Sequence, residues 1–126
     1  MCHQTVSLVA RHLEENGLPT VMIGSARDVV EHCGVARFLF TDFPLGNPCG
    51  HPWRADMQRE VVSAALGLLH SAPGPRTTVA SPFAWKEDPG WRMRYGRVDP
   101  AERERLIAIG EERRKRQSEA LLRKSS

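Results

Sequence analysis

Thr20-Val21-Met22-Ile23-Gly24-Ser25 decides how this chain reads. Thr20 to Gly24 is short, carries two β-branched residues before Gly24 besides Thr20 itself, and is polar only at its start. That pattern suits a strand buried on both faces, as in a parallel sheet. Ser25 stands where a helix N-cap belongs. Ala26 to His32 then reads as a short helix with Asp28 in its first turn and Gly34 behind it. A second strand follows at Arg37 to Thr41, with Phe38-Leu39-Phe40 at its centre.

Upstream, Val6, Val9, Ala10 and Leu13 recur at i, i+3, i+4 and i+7, which predicts a helix from Gln4 to Asn16 with one buried stripe. Gly17 and Pro19 end it. Downstream, Ala55 to His70 has the clearest helical periodicity, through Met57, Val61, Val62, Ala65, Leu66 and Leu69. Arg76 to Ser81 reads as a short strand. Helix, strand, helix, strand, loop and helix, joined by right-handed crossovers, predict an α/β fold. The expected architecture is a partial doubly wound, flavodoxin- or Rossmann-like parallel sheet, followed by an aromatic segment and a basic C-terminal helix. The expected domains are 1–82, an irregular segment 83–98, and a charged helix 99–126.

In the segment 83–98, Phe83, Trp85, Trp91, Met93 and Tyr95 sit among Pro, Gly and charge. Aromatics so placed are expected to pack on the domain surface; the sharper alternative is a patch for a partner. Asp99 as N-cap and Pro100 at the first helical position open the last helix. Its apolar residues Leu106, Ile107, Ile109, Leu121 and Leu122 are sparse. The run Glu111 to Arg116 has the mixed charge of a solvated helix face.

The net charge is +3. Residues 1–84 hold 6 basic and 7 acidic side chains, and residues 85–126 hold 12 and 8. A specific nucleic-acid binder shows a stronger, one-sided excess, so none is expected as partner. No apolar run approaches the length of a membrane span, and no signal peptide opens the chain. The expected location is cytoplasmic. Three widely spaced cysteines, Cys2, Cys33 and Cys49, do not form a disulfide framework. His32, Cys33, Cys49 and His51 lack the C-x-x-C pair of a zinc site, and no metal is expected.

In a doubly wound sheet, ligands bind outside the carboxyl ends of the strands. Ser25 follows the first strand. The Gly/Pro-rich loop Asp42 to Pro52 follows the second. Cys2 stands at the start of the first helix, where the dipole and unpaired N–H groups favour thiolate. His3 adjoins it, and Thr5 is a candidate cap. Topology thus brings Cys2, Ser25 and the Cys49 loop to one rim. Asp42 is placed to orient a histidine or a substrate amine, or to cap its own loop.

Cys2-His3-Gln4-Thr5, Gly17-Leu18-Pro19-Thr20-Val21 and Phe43-Pro44-Leu45-Gly46-Asn47-Pro48 together resemble the selenoprotein B subunit of the glycine/betaine/sarcosine/D-proline reductase family. The resemblance covers about residues 2 to 72. It implies an oxidoreductase that cleaves a C–N bond beside a carboxylate, with selenocysteine or cysteine as nucleophile and a second cysteine in a U-x-x-C or C-x-x-C motif. Cys2 matches only the second position. The first lies before Met1, so a truncated open reading frame is expected, with the selenocysteine upstream and no other cofactor. The implied catalytic residues are Cys2, His3 and Cys49. The implied substrate-binding residues are Ser25, Asp42, Pro44, Gly46 and Asn47. The implied partners are a small amino-acid or amine substrate, and other reductase subunits or a second copy. Two alternatives stand beside this reading. One is a non-catalytic assembly module docking through the aromatic segment and tail helix. The other is a cofactor-independent racemase-like enzyme using Cys2 and Cys49 as acid and base.

Overall fold

The structure is a computed structural model that describes residues 2–85, 90–95, 97 and 99–125. Position 1, positions 86–89, 96 and 98 in the expected aromatic segment, and position 126 of the expected charged helix 99–126 lie outside the described residues. The elements are α1 (Cys2–Glu15), β1 (Met22–Gly24), α2 (Arg27–Cys33), β2 (Arg37–Phe40), α3 (Ala55–Ser71), β3 (Thr77–Ala80), α4 (Trp91–Arg94) and α5 (Pro100–Ser125). They fall into two compact units, Met1–Arg92 and Met93–Ser126.

The first unit is α/β. Its three strands are parallel and lie in the order β1-β2-β3, with Met22 beside Phe38 and Phe38 beside Thr78. Successive strand residues point to opposite faces, and the core divides accordingly. Phe38 and Met22 join Ala10, Val30 and Val35 under α1 and α2. Leu39 joins Phe43, Val61, Ala65 and Leu68 under α3. The apolar strands are therefore covered on both sides, as the run of β-branched and aromatic residues requires. The two crossovers step the same way across the sheet, yet α2 and α3 lie on opposite faces. They must have opposite hands, so only one of them follows the right-handed rule used to read the sequence. The long run of turns before α3 carries the chain round to the far face.

Two helices bury faces that agree only in part with those periodicity predicts: Ala10 in α1, and Val61 and Ala65 in α3, are buried as predicted. In α1 the buried residues are Ser7 and Ala10, while Val6 and Val9 are 51% and 53% exposed. Small side chains occupy the contact and let the helix lie close to β1. The Ser7 hydroxyl donates to the His3 carbonyl at 2.6 Å and sits 3.3 Å from Met22 Sδ. In α3 the buried stripe is Val61, Ala65 and Leu68, whereas Val62 and Leu66 face outward.

The helix ends mostly follow their sequence signals. Gly17 takes φ 82°. Leu18 N–H donates to Leu13 O at 2.9 Å and Gly17 N–H to Glu14 O at 3.0 Å, the two bonds of a Schellman motif. Asp99 Oδ1 accepts the Ala101 N–H at 2.9 Å, which caps α5. Ser25 is the exception. The cap position of α2 is Ala26, and no side chain bonds there. The amide of Ser25 is engaged elsewhere, as shown below.

At the amino ends of the strands, Glu14 ties three elements together. Its Oε1 accepts the Thr20 N–H at 2.6 Å and pairs with Arg37 at 2.5 Å. A half-buried charged bond of this kind contributes about 1.5–3 kcal/mol.

α3 begins with a carboxylate held in its ionised form. Arg54 donates to Asp56 through Nε and Nη2, each at 3.1 Å. That fork, followed by the Met57 N–H, lowers the Asp56 carboxyl from 3.8 to about 2. Because the folded value is the lower one, the stabilisation is complete above pH 3.8 and lost as pH falls through about 2. In a carboxyl NMR titration, Asp56 should show a midpoint near 2, and Arg54→Ala should return it toward 3.8. A midpoint unmoved by Arg54→Ala contradicts this origin.

Candidate functional site

The carboxyl ends of β1 and β2 form the rim where a parallel sheet binds ligands, and the first turn of α1 meets it. His3 Nε2 accepts the backbone N–H of Ser25 at 3.0 Å. A backbone N–H can only donate, so Nε2 carries no proton in this contact. A neutral imidazole then bears its hydrogen on Nδ1. Nδ1 lies 3.7 Å from Cys2 Sγ. His3 therefore points an N–H at the sulfur of Cys2, which is exposed. With Nδ1 protonated, His3 cannot accept from the thiol at this nitrogen; it presents a long N–H contact to the sulfur.

Gly24 makes this approach possible. A Cβ on Gly24 would lie 3.0 Å from His3 Cδ2, 3.2 Å from His3 Nε2 and 3.2 Å from Phe38 Cε2. A side chain there crowds the imidazole and the Phe38 ring, and one of them must shift by a few tenths of an ångström. The Ser25 hydroxyl is buried beside this contact and has no hydrogen-bond partner among the described residues.

The neighbouring strand end is tied to the same point. Thr41, fully buried, donates its N–H to Gly24 O at 2.9 Å. Its hydroxyl donates to Pro48 O at 2.7 Å. The loop beyond it is three turns in series. Asn47 N–H donates to Pro44 O at 3.0 Å, with Gly46 at φ 94° in the third position, as a type II turn demands. Gly50 N–H donates to Asn47 O at 3.2 Å across Pro48 and Cys49. Arg54 N–H donates to His51 O at 3.3 Å, with Trp53 at φ 65°. Phe43, 2% exposed, anchors the loop in the α3-side core.

The sequence-derived candidates separate into three groups. Cys2, His3 and Ser25 are joined by direct contacts. Cys49 follows Pro48 and reaches the same strand ends through Thr41; it is half-buried, and no hydrogen bond joins it to Cys2 among the described residues. Pro44, Gly46 and Asn47 shape the first loop turn through backbone geometry. Asp42 turns away, pairing with Arg92 at a separate cavity. Thr5 lies inside α1 and not at its cap.

Gly24, Thr41 and Arg92 were not singled out from sequence. A glycine closing a strand is a signal of close approach, and that signal was available at Gly24. Among the described residues no three His, Cys, Asp or Glu side chains are arranged to hold a metal ion, and no helix is long and apolar enough to cross a membrane.

Comparison with known proteins adds one relation. D-proline reductase subunit gamma of Acetoanaerobium sticklandii is 30% identical over 84 residues. Over that stretch the chain is similar to this reductase subunit. The match covers 67% of this chain but 35% of the relative, so the chain spans about a third of that protein's length. This similarity does not single out selenoprotein B. No protein-family profile matches the chain, and no solved structure matches it.

Gly24→Ala should break the Ser25–His3 bond while leaving the sheet paired. The expected cost is about 1–3 kcal/mol in denaturant unfolding, with loss of the His3 ring signal typical of a fixed tautomer. A Gly24→Ala protein with unchanged stability and an unchanged His3 ring signal contradicts the close-approach argument.

Proposed function

We propose that this chain supplies the thiol-bearing rim of a reductase component, with Cys2 as its redox cysteine. The observation that carries this reading is the His3 Nδ1–H aimed at the Cys2 sulfur and fixed by the Ser25 amide. The similarity to a D-proline reductase subunit supports it. The reaction is reductive cleavage of a C–N bond beside a carboxylate in a small amino acid. A selenocysteine or cysteine outside this chain's residues acts as nucleophile, and Cys2 is its redox partner, as in selenoprotein B. His3 holds and orients the sulfur. Cys49 is the second thiol near the same strand ends, and the turn through Pro44, Gly46 and Asn47 forms the wall beside it. The component works with other reductase subunits in the cytoplasm.

The reading is tested by site-resolved alkylation. Iodoacetamide should modify Cys2 faster in the folded chain than in the same chain unfolded in denaturant, by about tenfold. A tenfold rate corresponds to about 1.4 kcal/mol off the activation free energy of the alkylation. His3→Ala should remove most of that difference while Cys33 and Cys49 keep their rates. A folded-state rate at or below the unfolded rate refutes the assignment of Cys2.

A further inference from the structure

β1 is an edge of the sheet, since the strands lie in the order β1-β2-β3. Thr41 N–H donates to Gly24 O, so Gly24 turns its backbone groups toward β2. Successive residues of a strand turn these groups to opposite sides. Ile23 therefore turns its N–H and C=O outward, to an edge left open among the described residues. β1 carries no proline or charged side chain that would close such an edge. The helix above it is apolar on the same side. α1 lays Ser7 and Ala10 against the β1 side of the core. One flank of that stripe faces α2: Arg11 donates to Cys33 O at 3.1 Å, and Gln4 lines a cavity with Asp28, His32 and Cys33. The other flank, Cys2, Val6, Val9 and Leu13, projects past β1, with Val6 51% and Val9 53% exposed.

We propose that this face pairs with the same face of a second copy, β1 beside β1 in antiparallel register and α1 beside α1 above them. Self-complementarity carries the assignment. A two-fold interface matches one patch to itself, and two strand edges so related run antiparallel. In α1, a two-fold axis between Ser7 and Leu8 sets Val6 against Val9 of the second copy and Cys2 against its Leu13. In β1, an axis at Ile23 lets the two Ile23 residues exchange both N–H···O bonds, the hydrogen-bonded pair of an antiparallel ladder. The two axes coincide. His3 is bonded to Ser25 and Glu14 to Thr20, which holds helix and strand level at both ends. The midpoint of the stripe, about four and a half helical residues from His3, lies about 7 Å along. Two strand residues back from Ser25 is also about 7 Å, and the residue there is Ile23. The Ser7 hydroxyl, 3.3 Å from Met22 Sδ, agrees with this level. One axis thus serves both the apolar stripe and the strand edge. The product is a sheet of six strands, three from each copy, with Val6 and Val9 covered.

The pairing stands apart from the reductase reading, since it uses neither thiol chemistry nor a substrate. Its signature is sidedness. Leu8 is as exposed as Val6, at 51%, but lies on the flank toward α2 and outside the seam. A generally adhesive α1 would use Leu8 as much as Val9.

The test is sedimentation velocity of the full chain from micromolar to near-millimolar concentration, combined with amide hydrogen exchange at Ile23. The chain should sediment as a dimer that dissociates on dilution. Val9→Glu, at a half-exposed site, should weaken the dimer by about tenfold or more. Leu8→Glu should leave it unchanged. The Ile23 amide should exchange about tenfold or more slowly in the dimer than in the monomeric Val9→Glu protein. Thermal melting checks that each variant folds. If Val9→Glu fails to fold, Val9→Thr, which keeps the branched shape and adds a hydroxyl, should weaken the dimer to a smaller degree. A monomer throughout the range, a dimer indifferent to both Val9 substitutions, or equal weakening by Leu8→Glu overturns the proposal. So does an Ile23 amide equally protected in monomer and dimer, since another segment would then occupy the edge. Cys2 stands at the end of the seam, so its alkylation in the monomeric Val9→Glu protein tests the reductase reading separately.

Discussion

The hydrogen bond from the Ser25 amide to His3 Nε2 is the contact on which the candidate site depends. It joins the first turn of α1 to the residue after β1. It consumes the acceptor nitrogen of the imidazole, so the remaining ring hydrogen sits on the nitrogen facing Cys2. It is helped by Gly24, where a Cβ would come within 3.0 Å of the His3 ring. Without it, Cys2 would be an exposed thiol at a helix start with nothing to distinguish it from a surface cysteine.

The rest of the first unit holds that contact in place from two directions. From below, Ser7 and Ala10 let α1 lie close to β1, and Glu14 fastens the far end of the helix to Thr20 and Arg37. From the side, Thr41 bonds to Gly24 and to Pro48, so the strand end and the Cys49 loop move as one piece. The two cysteines are thereby linked by a continuous path of bonded residues: Cys2, His3, Ser25, Gly24, Thr41, Pro48 and Cys49. The loop itself is shaped locally by three consecutive turns and by the buried Phe43.

Much of the fold was legible in the residues. The β-branched run at Thr20 to Gly24 and the aromatic run within Arg37 to Thr41 announced the parallel strands, found at Met22–Gly24 and Arg37–Phe40, and Gly17, Gly34 and Asp99 marked helix ends. Two things were not legible. Hydrophobic periodicity pointed α1 at the sheet through Val6 and Val9. The actual contact uses Ser7 and Ala10, because close packing of a helix against a short strand favours small side chains over large ones. The opposite hands of the two crossovers also left no local trace, since hand is decided by where a long loop delivers α3. For the site, topology alone placed Cys2 and Ser25 on one rim. The link between them, through His3 and the space at Gly24, depends on a side-chain rotamer and a missing Cβ. Asp42 was noticed as a substrate contact. Its partner Arg92 was not, because fifty residues and an irregular segment separate them.

The central claim is that His3 is locked as the Nδ1–H tautomer by the Ser25 amide and donates to the Cys2 sulfur. Ring-nitrogen NMR of the folded chain, labelled with ¹⁵N histidine and recorded where His3 is neutral, measures this directly. The account requires the His3 spectrum to show a protonated Nδ1 and an unprotonated Nε2 coupled across a hydrogen bond to the Ser25 amide. A His3 ring protonated at Nε2, or one averaging freely between the two tautomers, would contradict it.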